Sequence, residues 1–201
     1  MTEKDQQVQK PLKQEQGILG SEPRSATQLL VITGLLTALV FAVTHILGIR
    51  VPDGYLNLGD SSIAASALLL SHPLVALAAG LGSALSNMLN GLWIFAPATF
   101  VIKGAMGYVL YLFARRGTFA WFAVGVFLAE LIMVVGYTAY IFLLVDIGSI
   151  ASIPGNLVQA AANFALALLL YVPLMALRKA LWGNKNTDAA TEFAQSYGDK
   201  N

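Results

Sequence analysis

Between Phe119 and Val145 the sequence is apolar throughout, with Glu130 as its single charge. A membrane-spanning helix needs about 20 such residues, and a soluble domain has nowhere to bury a run this long. The run is one of six apolar segments: Thr27 to Gly48, about Asp60 to Leu70, Pro73 to Leu92, about Pro97 to Ala114, Phe119 to Val145, and Pro154 to Leu177. Composition agrees, with only 11% charged residues against 57% hydrophobic and a mean hydropathy of +0.67. A soluble domain carries about 25% charge. The chain therefore reads as an all-α integral membrane bundle of six transmembrane helices. The second segment is short. Ser71-His72-Pro73 separates it from the third, because the residue before a proline resists helix and this tripeptide suits a tight turn.

The charges give the orientation. With six spans and both termini cytoplasmic, the inner side holds Lys4, Lys10, Lys13, Arg24, Arg115, Arg116, Arg178, Lys179, Lys185 and Lys200, while the outer loops hold only Arg50. That asymmetry is the positive-inside pattern. It puts the loops near 49–59, 92–97 and 146–155 outside. Residues 1–26 are polar, lack apolar periodicity and read as a disordered cytoplasmic tail. Residues 27–182 form the membrane domain, and 183–201 are a second cytoplasmic tail. With no cysteine in the chain, disulfides and thiolate chemistry are excluded. His45 and His72 fall at opposite ends of the bundle, so no metal site is expected. No cofactor is expected either. Gly80-Leu81-Gly82-Ser83 lacks the Gly-Lys-Ser/Thr end of a phosphate-binding loop, so the chain reads as neither an ATPase nor any other enzyme. A net charge of +1 gives no reason to expect nucleic acid.

Polar residues inside spans are costly and mark sites or helix contacts. Lys103 lies about two turns into the fourth segment and Glu130 near the middle of the fifth. They read either as an ion pair that locks the bundle or as walls of a substrate site. Asp60 opens the second segment beside Tyr55 and Asn57. There it is placed to cap the helix, or to join the site. Asn156, Gln159 and Asn163 share one face of the sixth segment, as do Ser83, Asn87 and Asn90 on the third and Glu130 and Tyr137 on the fifth. Such amides are either interhelical glue or, converging toward the outer side, the lining of a pocket for a small polar molecule. Trp93, Phe95, Tyr108 and Tyr55 are candidate walls. Two stripes of small residues, Gly34-Ala38-Ala42 and Ala76-Gly80-Ala84, allow close helix approach, either within the bundle or toward another membrane subunit.

Several blocks occur in order: Gly54-Tyr55-Leu56-Asn57-Leu58-Gly59-Asp60, Ala79 through Leu85, Ala96 through Gly104, Ala129-Glu130 through Gly136-Tyr137, and Pro154 through Gln159. In these the chain resembles the substrate-binding S components of energy-coupling factor (ECF) vitamin transporters, over about residues 27–180. One departure is Ser86 through Asn90, where related chains often carry an acidic residue. The resemblance implies a capture subunit for a water-soluble vitamin or precursor, with hydroxymethylpyrimidine or a vitamin B6 form favoured and riboflavin and pantothenate open. It implies as partners a transmembrane coupling subunit docking on Gly34, Ala38 and Ala42, and two ATPase subunits. The setting is lipid, in a bacterial plasma membrane. Tyr55, Asn57, Asp60, Asn87, Trp93, Lys103, Glu130, Tyr137, Asn156, Gln159 and Asn163 are the expected substrate contacts. Lys103 is read as meeting a phenolate or phosphate-like acceptor and Glu130 a protonated ring nitrogen. The alternative class is a self-sufficient secondary transporter or channel.

Overall fold

The computed structural model describes residues 25–51, 54–145 and 152–182. Both tails, 1–24 and 183–201, lie outside them. Six α-helices run in chain order: α1 Ala26–Ile46, α2 Gly59–Leu70, α3 Val75–Leu89, α4 Ala96–Ala114, α5 Phe119–Val145 and α6 Ile153–Trp182. Four of them, α1, α4, α5 and α6, are long and apolar enough to cross a membrane. The other two have only 12 and 15 residues.

Local chemistry sets the boundaries. Ser25 caps α1 in a reciprocal box with Gln28: the Gln28 N–H donates to Ser25 Oγ, and the Ser25 N–H donates to Gln28 Oε1, each at 3.2 Å. Two orphan donors are satisfied together, which fixes the start. Between α2 and α3, Ser71 adopts a left-handed conformation with φ 47°. The Leu74 N–H donates to His72 Nδ1 at 3.3 Å. The Ser-His-Pro segment thus breaks the chain into two helices rather than kinking one. Pro97 sits in the first turn of α4, where its missing N–H costs nothing. A short 3₁₀ turn, Trp93–Phe95, leads into that helix.

The bundle is helical as expected, and one short hairpin joins α1 to α2. Gly48–Val51 (β1) and Gly54–Asn57 (β2) pair antiparallel, with Gly48 opposite Asn57 and Arg50 opposite Tyr55. The sequence predicts a loop here; the pairing makes it a hairpin. Two strands of four residues are marginal alone, and this hairpin is held by α6, as described below.

α2 is the hub. Every residue from Gly59 to Leu70 is buried except Leu69, the polar Asp60, Ser61, Ser62 and Ser66 included. Its serines fold their hydroxyls back onto the preceding turn: Ser61 Oγ donates to Leu58 O at 2.6 Å and Ser66 Oγ to Ser62 O at 2.8 Å. Around α2 pack α1, α3, α4 and α6. Glycine lets the neighbours approach. A Cβ on Gly82 would stand 2.7 Å from Thr37 O of α1, and one on Gly80 would stand 2.8 Å from Phe100 O of α4. The Ala76-Gly80-Ala84 stripe therefore faces into the bundle at Gly80. The α1 stripe does not: Ala38 is exposed, Ala42 half-buried, and nothing lies within 4 Å of a Cβ on Gly34.

Candidate functional site

The start of α2 needs partners for its free N–H groups. The sequence offered Asp60 as the cap, and the structure corrects this. Leu58 occupies the cap position with no side-chain cap bond, and Asp60 is the second residue of the helix. Two amides do the capping instead. The Gly59 N–H donates to Asn57 Oδ1, and the Ser61 N–H donates to Asn163 Oδ1 from α6, both at 2.9 Å. The carboxylate is thereby released for other contacts.

Those contacts come from two other helices. Lys103 of α4 forms an ion pair with Asp60 Oδ1, with both side chains buried. Gln159 of α6 donates through Nε2 to Asp60 Oδ2 at 3.1 Å. The same glutamine accepts the Asn57 N–H at Oε1, 3.0 Å away. Asn163 Nδ2 donates to Asn57 O at 2.9 Å and to Gln159 O at 3.0 Å. Both backbone groups of Asn57 are thus held by α6 side chains, which pins the last residue of the hairpin to the bundle. Three elements that are remote in sequence meet at one buried knot: the mouth of α2, the third turn of α4 and the first three turns of α6.

A second chain of contacts lies on the same end. Asn87 Nδ2 of α3 donates to Thr99 Oγ1 of α4 at 2.6 Å, and Thr99 Oγ1 lies 2.9 Å from the Tyr137 hydroxyl of α5. The Lys103 ammonium stands over the Tyr137 ring, 5.4 Å from its centroid, and so joins the two chains. Glu130 is buried two turns along α5 from Tyr137. It does not take Lys103 in a salt bridge, as the alternative ion-pair reading required: that partner is Asp60. The Glu130 Oε2 atom has no hydrogen-bond partner among the described residues.

The structure thus gathers Asn57, Asp60, Lys103, Gln159 and Asn163 directly, and Asn87 and Tyr137 through Thr99. Asn156 lies one turn before Gln159, half-buried, with its Nδ2 unpartnered. Trp93 and Tyr108 stay out, at 63% and 48% exposure. Trp93 belongs to the 3₁₀ turn, and Tyr108 is tilted against Tyr111 toward the other end of α4. Phe95 sets its edge against Tyr140 of α5, whose hydroxyl donates to Ile94 O. Tyr55 is on β2, but its side chain lies outside the described residues. Sequence reasoning missed Thr99, although it precedes Lys103 by one helical turn on the same face and so carried a usable signal. It also missed Met133, whose sulfur is 3.9 Å from Gln159 Nε2. Among the described residues no group of three or more His, Cys, Asp or Glu could hold a metal ion.

This arrangement presents ammonium, carboxylate, amide and phenol groups in a dry setting. Buried polar groups gathered in this way make it the candidate binding site among the described residues. Two known sequences or families are similar to this chain. A curated protein from Pyrococcus woesei, described as an uncharacterized protein in gap 3'region, is 31% identical over 131 residues, 63% of this chain and 88% of the relative. The family described as ECF-type riboflavin transporter, S component, matches residues 24–179. That match runs from the start of α1 through most of α6, and the chain belongs to the ECF-type riboflavin transporter S component family.

Proposed function

We propose that this chain is the capture subunit of an ECF-type importer and binds one water-soluble vitamin or vitamin precursor. The observation that carries the reading is the buried knot of Asp60, Lys103, Gln159 and Asn163 at the hairpin end. Buried ionisable groups in a membrane bundle are expensive and mark substrate paths. In this reading all six helices serve as spans, with α2 and α3 short and shielded by the rest. Both termini are cytoplasmic, and the hairpin end faces outward from a bacterial plasma membrane. Riboflavin, named in the family description, joins hydroxymethylpyrimidine and the B6 forms as candidate ligand. A transmembrane coupling subunit docks on Gly34, Ala38 and Ala42, the bundle tips, and two ATPase subunits drive release.

The test uses the purified chain. It should bind its vitamin without ATP and should accumulate none in liposomes until the coupling subunit, the ATPases and ATP are added. Mass spectrometry of co-purified ligand names the vitamin. Asn163→Ala strips the partner from the Ser61 N–H and frees Asn57. It should weaken binding by at least about tenfold, corresponding to about 1.4 kcal/mol. Accumulation by the chain alone would instead make it a self-sufficient transporter.

A further inference from the structure

Among the described residues the only acids are Asp60 and Glu130, and both are buried. The exposed cations at the end of the bundle opposite the hairpin therefore have no ion-pair partner among those residues. Two of them stand side by side: Arg115 and Arg116 occupy the turn from α4 to α5. The third, Lys179, lies in the last turn of α6. The turn from α2 to α3 at the same end, Ser71 to Leu74, carries no lysine or arginine. Positive charge is thus concentrated on one corner.

That corner is rigid. The Arg115 N–H donates to Tyr111 O at 3.2 Å, and the Arg116 and Gly117 N–H groups donate to Phe113 O and Ala114 O, each at 3.1 Å. Gly117 has φ 73°, a left-handed conformation that glycine adopts without strain. Just inside the turn the two helices meet closely, since a Cβ on Gly125 would stand 2.5 Å from Phe113 Cβ. The guanidiniums rest on rings. Arg116 Cζ lies 4.0 Å from the Trp121 ring centroid and 5.4 Å from that of Phe113. Arg115 Cζ lies 5.7 Å from the Tyr111 centroid, and its Nη1 donates to the Tyr111 hydroxyl at 3.4 Å. An aromatic face attracts a guanidinium and limits its swing, while the N–H groups along its edge stay able to donate. Arg116 donates no side-chain N–H to a described residue.

The setting is the boundary of a bilayer. Both α4 and α5 are long and apolar enough to cross a membrane, so the turn between them falls where a span ends. Phe119 and Trp121 are exposed beside it, and tryptophan collects at headgroup level. We propose that the α4–α5 corner binds the headgroup of an anionic phospholipid. Arg115 and Arg116 grip its phosphate, and Tyr111, Phe113 and Trp121 hold the two guanidiniums in place for it. Guanidinium and phosphate form strong charge-assisted hydrogen bonds. A zwitterionic lipid fits less well, because its own ammonium is repelled by the paired arginines. An acidic protein surface also fits less well, because the exposed Leu112, Phe119 and Trp121 around the cations are apolar. This goes beyond vitamin capture and depends only on the membrane setting.

The test is native mass spectrometry of the full chain from mixed micelles holding equal amounts of phosphatidylglycerol and phosphatidylcholine with the same acyl chains. The unaltered protein should retain phosphatidylglycerol over phosphatidylcholine by at least about tenfold. Arg116→Gln should cut that preference about fivefold, and the Arg115→Gln, Arg116→Gln double variant should remove it. Trp121→Leu keeps the charge but takes the ring from Arg116, and should cut the preference about threefold. Lys179→Gln removes one charge away from the corner and should leave the preference unchanged. Both arginines are exposed, so the unfolding midpoint in lipid-free detergent should stay near the parent's. A lowered midpoint would make the arginines structural and overturns the proposal. So does a double variant with the parent's preference, or an equal loss in Lys179→Gln and Arg116→Gln, which reduces the site to overall surface charge. Displacement of the lipid by glycerol 3-phosphate at equal concentration would make the corner a free-phosphate site. An unchanged lipid preference in the double variant, with weaker assembly with the ATPase subunits, would make it a protein contact. Each of these overturns the lipid site and leaves vitamin capture, which is read by vitamin binding, standing.

Discussion

The knot at the mouth of α2 and the small-residue stripe of α1 are built on opposite plans. In the knot, a lysine and an aspartate are buried and face only groups of the same chain. On the stripe, Gly34 and Ala38 carry almost no side chain and stand open, with nothing of this chain near a Cβ on Gly34. The first region is complete in the isolated chain, apart from whatever Glu130 meets. The second is left open by this chain, and in the proposed function the coupling subunit covers it. A second stripe sharpens the contrast. Gly80 has the same small-residue spacing, yet it is filled by Phe100 of α4. Spacing alone shows that a helix face is flat. Whether the flatness serves the bundle or a partner is decided by what stands opposite.

The largest effect should come from the knot. Lys103→Met removes the ammonium and leaves Asp60 buried with only the Gln159 amide. Breaking a buried pair from one side costs about 3–5 kcal/mol. The unfolding midpoint in detergent should drop sharply and ligand binding should be lost. Adding Asp60→Asn should restore most of the midpoint, since the stranded charge is then gone. A single variant as stable as the parent would mean that the knot is not self-contained, and the contrast with α1 would fail.

The next test places one substitution on both stripes. Gly80→Leu drives a side chain into the Phe100 backbone, and overpacking of this kind costs about 1–3 kcal/mol. Gly34→Leu enters open space and should stay within about 0.5 kcal/mol of the parent. Unfolding of the two variants in the same detergent compares them directly. Equal losses would show that the α1 stripe is packed after all.

How much of this could be read from the residues follows the same division. The long helices were legible, because about 20 apolar residues admit few alternatives. The break at Ser71-His72-Pro73 was legible from local chemistry. The hairpin was within reach, since Pro52-Asp53-Gly54 is a turn signature between short strand-like runs. The partner of Lys103 was not legible. Sequence shows three ionisable groups inside or at the mouth of spans, Asp60, Lys103 and Glu130, and the pairing depends on how deep each sits and how each helix is rotated about its axis. The assignment of Asp60 as a cap failed for a related reason. The amide that took over the Ser61 N–H, Asn163, lies about a hundred residues away along the chain, beyond any local pattern.

The smallest effect on the chain by itself is expected from the change with the clearest consequence for its partners. Ala38→Leu adds three carbons to an exposed position, so folding should stay within about 0.5 kcal/mol of the parent. Vitamin affinity should also hold, since Ala38 lies on a different helix from every residue of the knot. Helices that meet through small residues bring their backbones close, and a leucine on that face forces them apart. ATP-driven uptake by the assembled importer should therefore fall by at least about tenfold, while binding to the isolated chain does not change. That separation is what distinguishes a docking face from a bundle face. A loss of both activities together would place the stripe in the bundle's own packing, and full uptake in the Ala38→Leu, Ala42→Leu double variant would move the docking surface elsewhere. The first result would reduce α1 to a second copy of the Gly80 case. The second would leave the exposed stripe in contact with lipid, where smallness of the side chain has no packing purpose.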